Sequence, residues 1–519
     1  MKYIKAYIIL IAFTFTVIQN TYSQSDSTYL SILNRTEYYS NLYNNSFSYA
    51  PSSVGNWNND SFSFVTLNYT NTQGDFRDFQ QFDSDGVVNI SAQSVLELEG
   101  GWHFFGKFDY TNGKAKNSYY NVSFKLPENG SPVYYFQEQP GIWNYQNYVF
   151  DGVAAKKIAN DKLILGLGII YNGDLAFRTV DTRNELYDFN IDLKSSITYN
   201  ITKDYAITMG YVFRRKKLEP QINDKYSHAG DDAYNLYLNY GLGSYKKNAP
   251  WETRLLDLGH YGVLNLDLDM GGTRLLINYE GGFSKEDHSL RLINSLAASA
   301  PSYYRYMYSR HRFSATAESN VGNALINTYI KGENTNGQGD LYEDSKYWNN
   351  YQSGRTSLEL GSNYYRSESL VRGFGIGVGY HSSQAEDMKY NQELKYSRAN
   401  VQGAIELGSK LSKSVQLGLN MSGQYTHNLS ANHNVGAAEG NLFTENIAVH
   451  QLMYNSTDFY DLTAQFEIAH ILKKSSQTFN YVITGTYRKP VKINNMVDDA
   501  YYGLKDNNYS LNINVIYNF

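Results

Sequence analysis

The sequence predicts an all-β protein, a transmembrane, antiparallel, up-and-down β-barrel of roughly 14–18 strands. Apolar and polar residues alternate with a period of two along most of the chain after residue 60. Aromatic residues make up 15% of the chain, including 50 Tyr, and such side chains form girdles at both surfaces of membrane barrels. The mean hydropathy of −0.50 argues against a helical membrane bundle but agrees with a barrel, in which alternate residues face a polar interior.

The last predicted strand shows the alternation most clearly. Its apolar, partly aromatic face consists of Tyr509, Leu511, Ile513, Val515, Tyr517 and Phe519. Its mostly polar face consists of Ser510, Asn512, Asn514, Ile516 and Asn518. A strand of about 11 residues has the length needed to cross a bilayer at a tilt. The same two faces recur in segments 102–110, 163–171, 205–213, 264–270, 415–421 and 460–468.

In segment 370–380, glycine takes the place of the polar residues. Phe374, Ile376, Val378 and Tyr380 alternate with Gly373, Gly375, Gly377 and Gly379. Glycine weakens strands, so four glycines on one face predict that other interior groups approach closely, either lumen side chains or a plug. A phosphate-binding loop is rejected because no helix-forming stretch follows and no basic residue stands at the required place.

Carboxylates stand opposite strongly apolar residues at Asp267, Asp269, Asp461 and Glu467. A charge that faces lipid at mid-depth costs about 2–4 kcal/mol, so we expect these four to face the interior. The alternative is the solvated face of a soluble sheet, because Tyr also favours ordinary strands. The number and length of the alternating strands favour the membrane barrel.

The links between the predicted strands fall into two kinds. Short links are predicted at 160–161, 202–204, 409–414 and 473–476. Long polar links are predicted at about 217–232, 332–350, 430–446 and 489–506. Membrane barrels have short periplasmic turns and long extracellular loops, which matches this division.

Two basic clusters, residues 214–217 and Lys473-Lys474, are the strongest charge runs. We place the first cluster at the end of a strand, where the chain leaves the membrane for a long loop. The preferred interpretation is a solvated strand end. The alternatives are a contact with anionic lipopolysaccharide or the gathering of anionic solutes.

The N-terminal part divides into two segments ahead of the barrel. Lys2 and Lys5, the apolar run from Ala6 to Ile18, and the small residue Ser23 predict a secretory signal peptide over residues 1–23. Residues 24–60 show weak periodicity, and we interpret them as a periplasmic lead-in, a plug-like segment, or a first strand with its loop. The barrel is predicted over residues 61–519.

The sequence assigns no catalytic, cofactor-binding or metal-binding residue. There is no cysteine, which excludes thiolate metal sites and a Cys nucleophile. The histidines form no His-Glu-x-x-His pair, and there is no Gly-x-Ser-x-Gly elbow. His427 and His433 are interpreted as residues of a solvated loop, and His103 as a residue that lines the lumen. A net charge of −5, without a basic stripe, argues against a nucleic-acid partner.

The two ends of the chain resemble those of the outer-membrane β-barrel proteins of Gram-negative bacteria. The last strand ends on an aromatic residue, Phe519, with Tyr517, Val515 and Ile513 repeating the pattern backwards. The resemblance implies that the barrel assembly machinery recognises this strand and that the protein lies in the cell outer membrane, in contact with its lipid and lipopolysaccharide. The chain also looks like large barrels that accompany energised uptake receptors, which implies an uptake-complex protein as a further partner.

Three functions are compatible with a barrel of this size. The first is passage or uptake of a small solute across the outer membrane, because a barrel of about 16 strands is wide enough to hold water or a plug. The second is a non-conducting surface-binding or accessory component of an uptake complex. The third is a barrel-embedded hydrolase. We expect a protein that is not an enzyme and that uses no cofactor.

Overall fold

A closed barrel of eighteen antiparallel strands forms the body of the protein. The computed structural model describes residues 50–518, apart from residues 57–61, 79, 224–230, 248–252, 291–301, 344, 367–369, 438–440, 473–476 and 493–506. Each barrel strand pairs with its neighbours in chain order, and the first strand pairs with the last, so that Leu67 lies opposite Val515. The predicted up-and-down barrel is therefore confirmed, at the upper end of the predicted strand number.

The barrel strands are β1 (Phe62–Gly74), β2 (Ser84–Leu98), β3 (Trp102–Ser118), β5 (Gly141–Ile158), β6 (Leu163–Arg178), β7 (Arg183–Asn200), β8 (Tyr205–Asn223), β11 (Thr253–Asp269), β12 (Thr273–Leu290), β13 (Ser302–Val321), β14 (Ala324–Glu343), β15 (Lys346–Arg366), β16 (Val371–Asp387), β17 (Gln392–Lys410), β18 (Val415–Asn434), β19 (Asp458–Ile471), β20 (Thr478–Lys492) and β21 (Asn508–Asn518). Three short strands form a separate small sheet: β4 (Tyr134–Phe136), β9 (Tyr237–Asn239) and β10 (Tyr245–Lys247). The helical elements among the described residues are a 3₁₀ helix (Pro51–Asn56), a second one (Asp232–Tyr234), a π-helix (Thr444–Ala448) and the α-helix α1 (Val449–Ser456). Within the described residues, no helix has the length and apolar character needed to cross a membrane.

Large apolar side chains project outward from the barrel wall, where lipid would contact them. Leu167, Phe283 and Ile376 are 68%, 71% and 67% exposed, respectively. Soluble monomers rarely expose apolar patches larger than a few hundred Å². The outward face carries the alternating residues predicted from the sequence, including Phe374, Val378 and Tyr380 on β16. This distribution is that of a protein whose surrounding solvent is a bilayer.

The glycines of β16 face the interior and leave room for side chains of the neighbouring strands. A Cβ atom on Gly379 would lie 2.6 Å from the amide nitrogen of Asn400, and one on Gly377 would lie 2.5 Å from that of Gln402. The prediction that these glycines make room for lumen residues is therefore confirmed.

The two ends of the barrel differ. At one end, called the turn end, strands are joined by links such as 159–162, 201–204 and 411–414, which confirms the predicted short links there. The predicted link 473–476 lies outside the described residues. The other end, called the loop end, carries the long connections 75–83, 119–140, 224–252 and 435–457. In membrane barrels the short turns face the periplasm, so the loop end faces the outside of the cell.

The predicted long polar link at 332–350 is wrong. Strand β14 continues to Glu343 and β15 begins at Lys346, and their ladder still pairs Gly339 with Tyr351. Beyond the apolar band neither face of a strand meets lipid, so alternation ends although the hydrogen-bonded ladder continues. Three other predicted links, 217–232, 430–446 and 489–506, also begin inside strands, because β8 extends to Asn223, β18 to Asn434 and β20 to Lys492. Residues 493–506 of the last link lie outside the described residues.

Of the four carboxylates predicted to face the interior, three do so, and the prediction for Asp269 is wrong. Asp269 is the last residue of β11 and is exposed, and its carboxylate accepts a hydrogen bond of 3.0 Å from the backbone N–H of Gly271 in the turn. The other three predictions are confirmed. Asp267 pairs with Arg274 at 2.7 Å, Asp461 pairs with Arg488 at 2.6 Å, and Glu467 accepts a hydrogen bond of 2.9 Å from Asn480.

Candidate functional site

On one half of the lumen wall, from β5 to β13, charged side chains face inward and form ion pairs with each other. The carboxylate of Asp192 accepts two hydrogen bonds, of 2.8 and 2.6 Å, from Arg214. Glu280, which is 2% exposed, accepts from Arg312 at 2.6 Å and from Arg310 at 3.3 Å. Bidentate arginine–carboxylate pairs have a fixed geometry, so they hold these strands in register as well as neutralising charge.

The basic cluster 214–217 therefore has a different role from the one predicted. It lies within β8 rather than at a strand end. Successive side chains of a strand point to opposite faces of the sheet. Arg214 and Lys216 therefore face the interior, where Lys216 pairs with Asp188 at 3.1 Å. Lys217 pairs with Glu219 at 2.8 Å. The solvated strand end predicted for this cluster is wrong, because the ladder of β8 with β7 continues to Asn223.

A short segment ahead of β1 packs against this wall near the turn end. In the 3₁₀ helix Pro51–Asn56, the Ser52 hydroxyl lies 2.8 Å from the hydroxyl oxygens of both Ser196 and Thr198 on β7. Val54 is fully buried against the interior side chains of Phe105, Val153 and Ile164. A Cβ atom on Gly166 would collide with the backbone of Ser52, so glycine is needed for this approach.

His103 faces the interior at the same end, as predicted. It is fully buried, and its Nε2 lies 3.5 Å from a carboxylate oxygen of Glu97.

At the loop end, three connections fold inward and cover the mouth of the barrel. We call residues 119–140, 231–247 and 441–457 the cap. Strand β4 comes from the first connection, while β9 and β10 come from the second, and they form the small three-stranded sheet in the order β10-β9-β4. The third connection contributes the π-helix and α1. The mouth is therefore covered by structure that belongs to no barrel strand.

The cap has an apolar core that includes the barrel wall. Phe136 and Ile447 of the cap are fully buried, as are Tyr304 and Tyr306 of β13. The ring centroid of Phe136 lies 5.0 Å from that of Tyr237 in a stacked arrangement. A contiguous core of this kind joins the three connections to each other and to β13, so the cap packs as one unit.

Hydrogen bonds from the wall fix the edge of the cap. The Tyr306 hydroxyl donates to the carbonyl of Asn129 at 3.1 Å, and the Tyr351 hydroxyl donates to the carbonyl of Gly130 at 3.2 Å. Asn350 donates to the carbonyl of Tyr240 at 3.0 Å. These three bonds tie backbone carbonyl groups of the cap to side chains of the barrel wall.

Arginines anchor α1 at its C-terminal end. Arg398 on β17 donates from Nε to the carbonyl of Asn455 and from Nη2 to that of Tyr454, both at 2.9 Å. The last carbonyls of a helix have no partner within the helix and carry partial negative charge, which suits a guanidinium. Arg488 on β20 reaches the Tyr454 hydroxyl at 3.4 Å. Through Arg488, the cap contacts the opposite half of the lumen.

That other half of the lumen holds an open polar space, which we call the polar trough. It consists of two cavities of about 450 and 570 Å³ on the inner faces of β1–β3 and β17–β21, both of which are lined by Thr486 and Ser510. Arg488 lies at its upper part, beneath α1, and Phe64 and Ile516 lie at its lower part, near the turn end. Ligand pockets typically measure about 300–1,000 Å³, so the trough is large enough for a small solute.

The histidines of the loop end form no metal centre within the described residues, where no group of three or more potential ligands is close enough to hold an ion. His427 Nδ1 lies 3.0 Å from Asp458, whose carboxylate also accepts from the backbone N–H of Asn428 at 2.7 Å. No described serine hydroxyl is hydrogen-bonded to His427. His433 contacts Gln392 at 2.8 Å. Both histidines lie on β18, rather than in a loop as predicted.

Asp78 is a titratable carboxyl group beside the cap. It lies in connection 75–83, whose Phe76 packs on Tyr454 of α1 at 5.3 Å between ring centroids. Burial raises the pKa of the Asp78 carboxyl to about 6, against the opposing effects of the Gln80 N–H and the Arg77 and Arg398 guanidiniums. A raised pKa stabilises the docked cap most below the ordinary pKa of 3.8, and this stabilisation is lost as the pH rises through about 6.

We therefore expect the cap to loosen as the pH rises from about 4 to about 7. The measurement is the rate of protease cleavage in the cap of the reconstituted protein at each pH. Asp78→Asn should flatten this dependence, because the amide does not titrate. If the cleavage rate of the variant depends on pH as steeply as that of the wild type, another group is responsible.

Sequence reasoning missed the cap entirely. The tyrosines at 304, 306 and 308 repeat at every second position, which is a signal for one face of a strand. No periodicity marks the loop residues that cover them, because their partners come from connections more than a hundred residues apart, as for Tyr135 and Leu238.

A closed barrel with an apolar outer belt, a polar lumen, short turns at one end and long connections at the other defines a transmembrane β-barrel of the outer-membrane class. Within this class, the chain belongs to DUF6850, a family of unknown function whose model matches residues 51–519.

Solved barrels with a similar chain path are distant in sequence. CdiB from Acinetobacter baumannii is 10% identical, with a TM-score of 0.33, over 88% of this chain and 60% of its own, so this chain spans less than two thirds of the length of CdiB. BauA, the ferric preacinetobactin receptor of the same organism, is 8% identical, with a TM-score of 0.39, over 89% and 80% of the two chains. The toluene transporter TbuX of Ralstonia pickettii is 8% identical, with a TM-score of 0.30, over 91% of this chain and 92% of its own. Likenesses this distant carry no argument about function. A sequence search of curated proteins found no match.

Proposed function

We propose that this protein is a gated conduit for a small solute across the outer membrane. The observation that carries the proposal is the polar trough, which extends along the lumen wall beneath the cap. Selectivity in such pores comes from the width and the polar lining of the passage. The cap supplies the gate, because it closes the loop end through contacts that can be broken without breaking the barrel ladder.

The N-terminal part completes this proposal. Residues 1–23 act as a cleaved export signal, which delivers the chain to the outer membrane. Residues 24–60 act as a plug-like segment. Support for the plug comes from residues 50–56, whose side chains pack on interior residues of β3, β5, β6 and β7.

An engineered disulfide tests whether residues 50–56 pack on β7 when the protein is in the membrane. Because the hydroxyl oxygens of Ser52 and Ser196 lie 2.8 Å apart, we expect Ser52→Cys with Ser196→Cys to oxidise readily into a crosslink. The chain has no cysteine, so no other thiol competes. Ser397→Cys with Ser430→Cys, a cross-strand pair at 2.7 Å on the barrel wall, is the matched control.

The readout is a crosslinked peptide detected by mass spectrometry after proteolysis of protein oxidised in the membrane. Formation of the control crosslink without the Ser52–Ser196 crosslink would exclude the packing of this segment on β7.

Single-channel recording of the purified full chain in a planar bilayer tests the conduit. We expect steps of constant size that are infrequent while the cap is docked and frequent once a substitution displaces it. A correctly folded protein that stays silent in both states would refute the proposal.

The cap also favours a second candidate, a non-conducting accessory component of an uptake complex. An apolar core that seals the loop end is what such a component would need, and it would present the outer surface of the cap to a partner. Silence of the cap-displaced protein is the outcome that would select this candidate.

A further inference from the structure

We propose that the solute is uncharged and rich in hydroxyl groups, as a sugar or a sugar-like polyol is; this inference rests on the proposed function. The polar trough is lined mainly by hydroxyl and amide side chains. Its described charged lining residues are Lys107, Asp461, Glu467 and Arg488.

Each of the four charges has a protein partner. Arg488 and Asp461 form a two-bond pair at 2.6 and 3.1 Å, and Lys107 lies 2.9 Å from Asp109. Glu467 accepts a hydrogen bond of 2.9 Å from Asn480, and its negative charge also interacts with the guanidinium of Arg372. An ionic solute in the trough would lose hydration and find no uncompensated opposite charge to replace it, which is costly.

The neutral groups of the trough form short chains of hydrogen bonds. Asn512 donates to Asn68 at 3.0 Å and to Thr70 at 2.9 Å, and the hydroxyls of Thr463 and Thr486 lie 3.2 Å apart. Hydroxyl and amide groups both donate and accept. A sugar hydroxyl also does both, so a polyol can exchange its bonds to water for bonds to this lining at every step.

The described apolar lining is confined to Phe64, Val482 and Ile516 at the lower part, which gives an apolar solute little to contact.

The test compares three solutes of nearly equal size: glucose, gluconate and glucosamine. Proteoliposomes that contain the full chain, either wild-type or with Phe136→Asp in the cap, are loaded with each labelled solute, and its release is followed. We expect glucose to leave about tenfold faster than either charged solute. Release of gluconate or glucosamine as fast as glucose would overturn the inference while leaving the conduit intact. No release of any solute from either protein would overturn both.

A substitution links the selectivity to the trough. Asn512→Asp places a carboxylate of the same shape in the lining, and we expect the ratio of glucosamine to glucose release to rise about threefold. Asn336→Asp, at an exposed position of β14, is the control and should leave the ratio unchanged. Heat-dependent migration in gels verifies that both variants fold. An unchanged ratio in folded Asn512→Asp would place the pathway elsewhere and refute the inference.

Discussion

Replacing Phe136 with aspartate should displace the cap and turn infrequent openings into sustained conductance. The Phe136 ring is fully buried, and its centroid lies 5.0 Å from that of Tyr237, 5.7 Å from that of Tyr245 and 6.4 Å from that of Phe443. These contacts join all three connections of the cap. Loss of a buried phenylalanine side chain costs about 3–5 kcal/mol, and a carboxylate left in the same core without a partner adds to that cost.

The barrel itself should tolerate this change, because β4 belongs to the small sheet and donates no hydrogen bond to the barrel ladder. Lys246→Asp provides the matched control, since it places the same charge on the same small sheet at an exposed position. The measurement is open probability in planar bilayers. If folded Phe136→Asp opens no more often than Lys246→Asp, the cap is not the gate.

Replacing Glu280 with glutamine should cause the largest loss of barrel stability among the interior carboxylates. Glu280 is 2% exposed and compensates two arginines, Arg310 and Arg312, which are 20% and 32% exposed. Removing one member of a buried ion pair leaves the opposite charges uncompensated. We expect a loss of up to about 3 kcal/mol, the lower end of the range for buried pairs, because the arginines retain some contact with water.

Asp267→Asn is the control for this prediction. Asp267 also forms a two-bond pair, with Arg274 at 3.0 and 2.7 Å, but the two side chains are 26% and 34% exposed. A pair that water screens contributes about 0–1 kcal/mol. The measurement is the midpoint of thermal unfolding in detergent for both variants. Equal shifts would show that burial does not set the strength of these pairs.

Where the chain crosses the bilayer, the sequence was sufficient to predict the fold. A lipid face and a water-filled face impose a period of two, so residues such as Ile376 and Leu167 could be assigned outward positions from alternation alone. Where the chain leaves the bilayer, this constraint ends. Residues 332–350 therefore resembled a loop although they continue the ladder of β14 and β15.

The interior was predicted in part. Asp461 and Glu467 could be assigned to the lumen because a charge facing lipid is costly. Their partners could not be named, since the contact of Asp461 with Arg488 depends on the register between β19 and β20. The cap was beyond sequence reasoning for the same reason, because β4 and β9 are three-residue strands whose pairing is set only by the folded barrel.

The attachment of residues 50–56 has a consequence for the order in which the barrel assembles. From Asn56 to Phe62 the backbone can extend at most about 21 Å. Once Ser52 is bonded to Ser196 on β7, the start of β1 is held within that reach of the wall formed by β5–β7. We therefore expect the segment to act as a tether that limits how far β1 can move from β5–β7 before β21 pairs with β1 and closes the barrel.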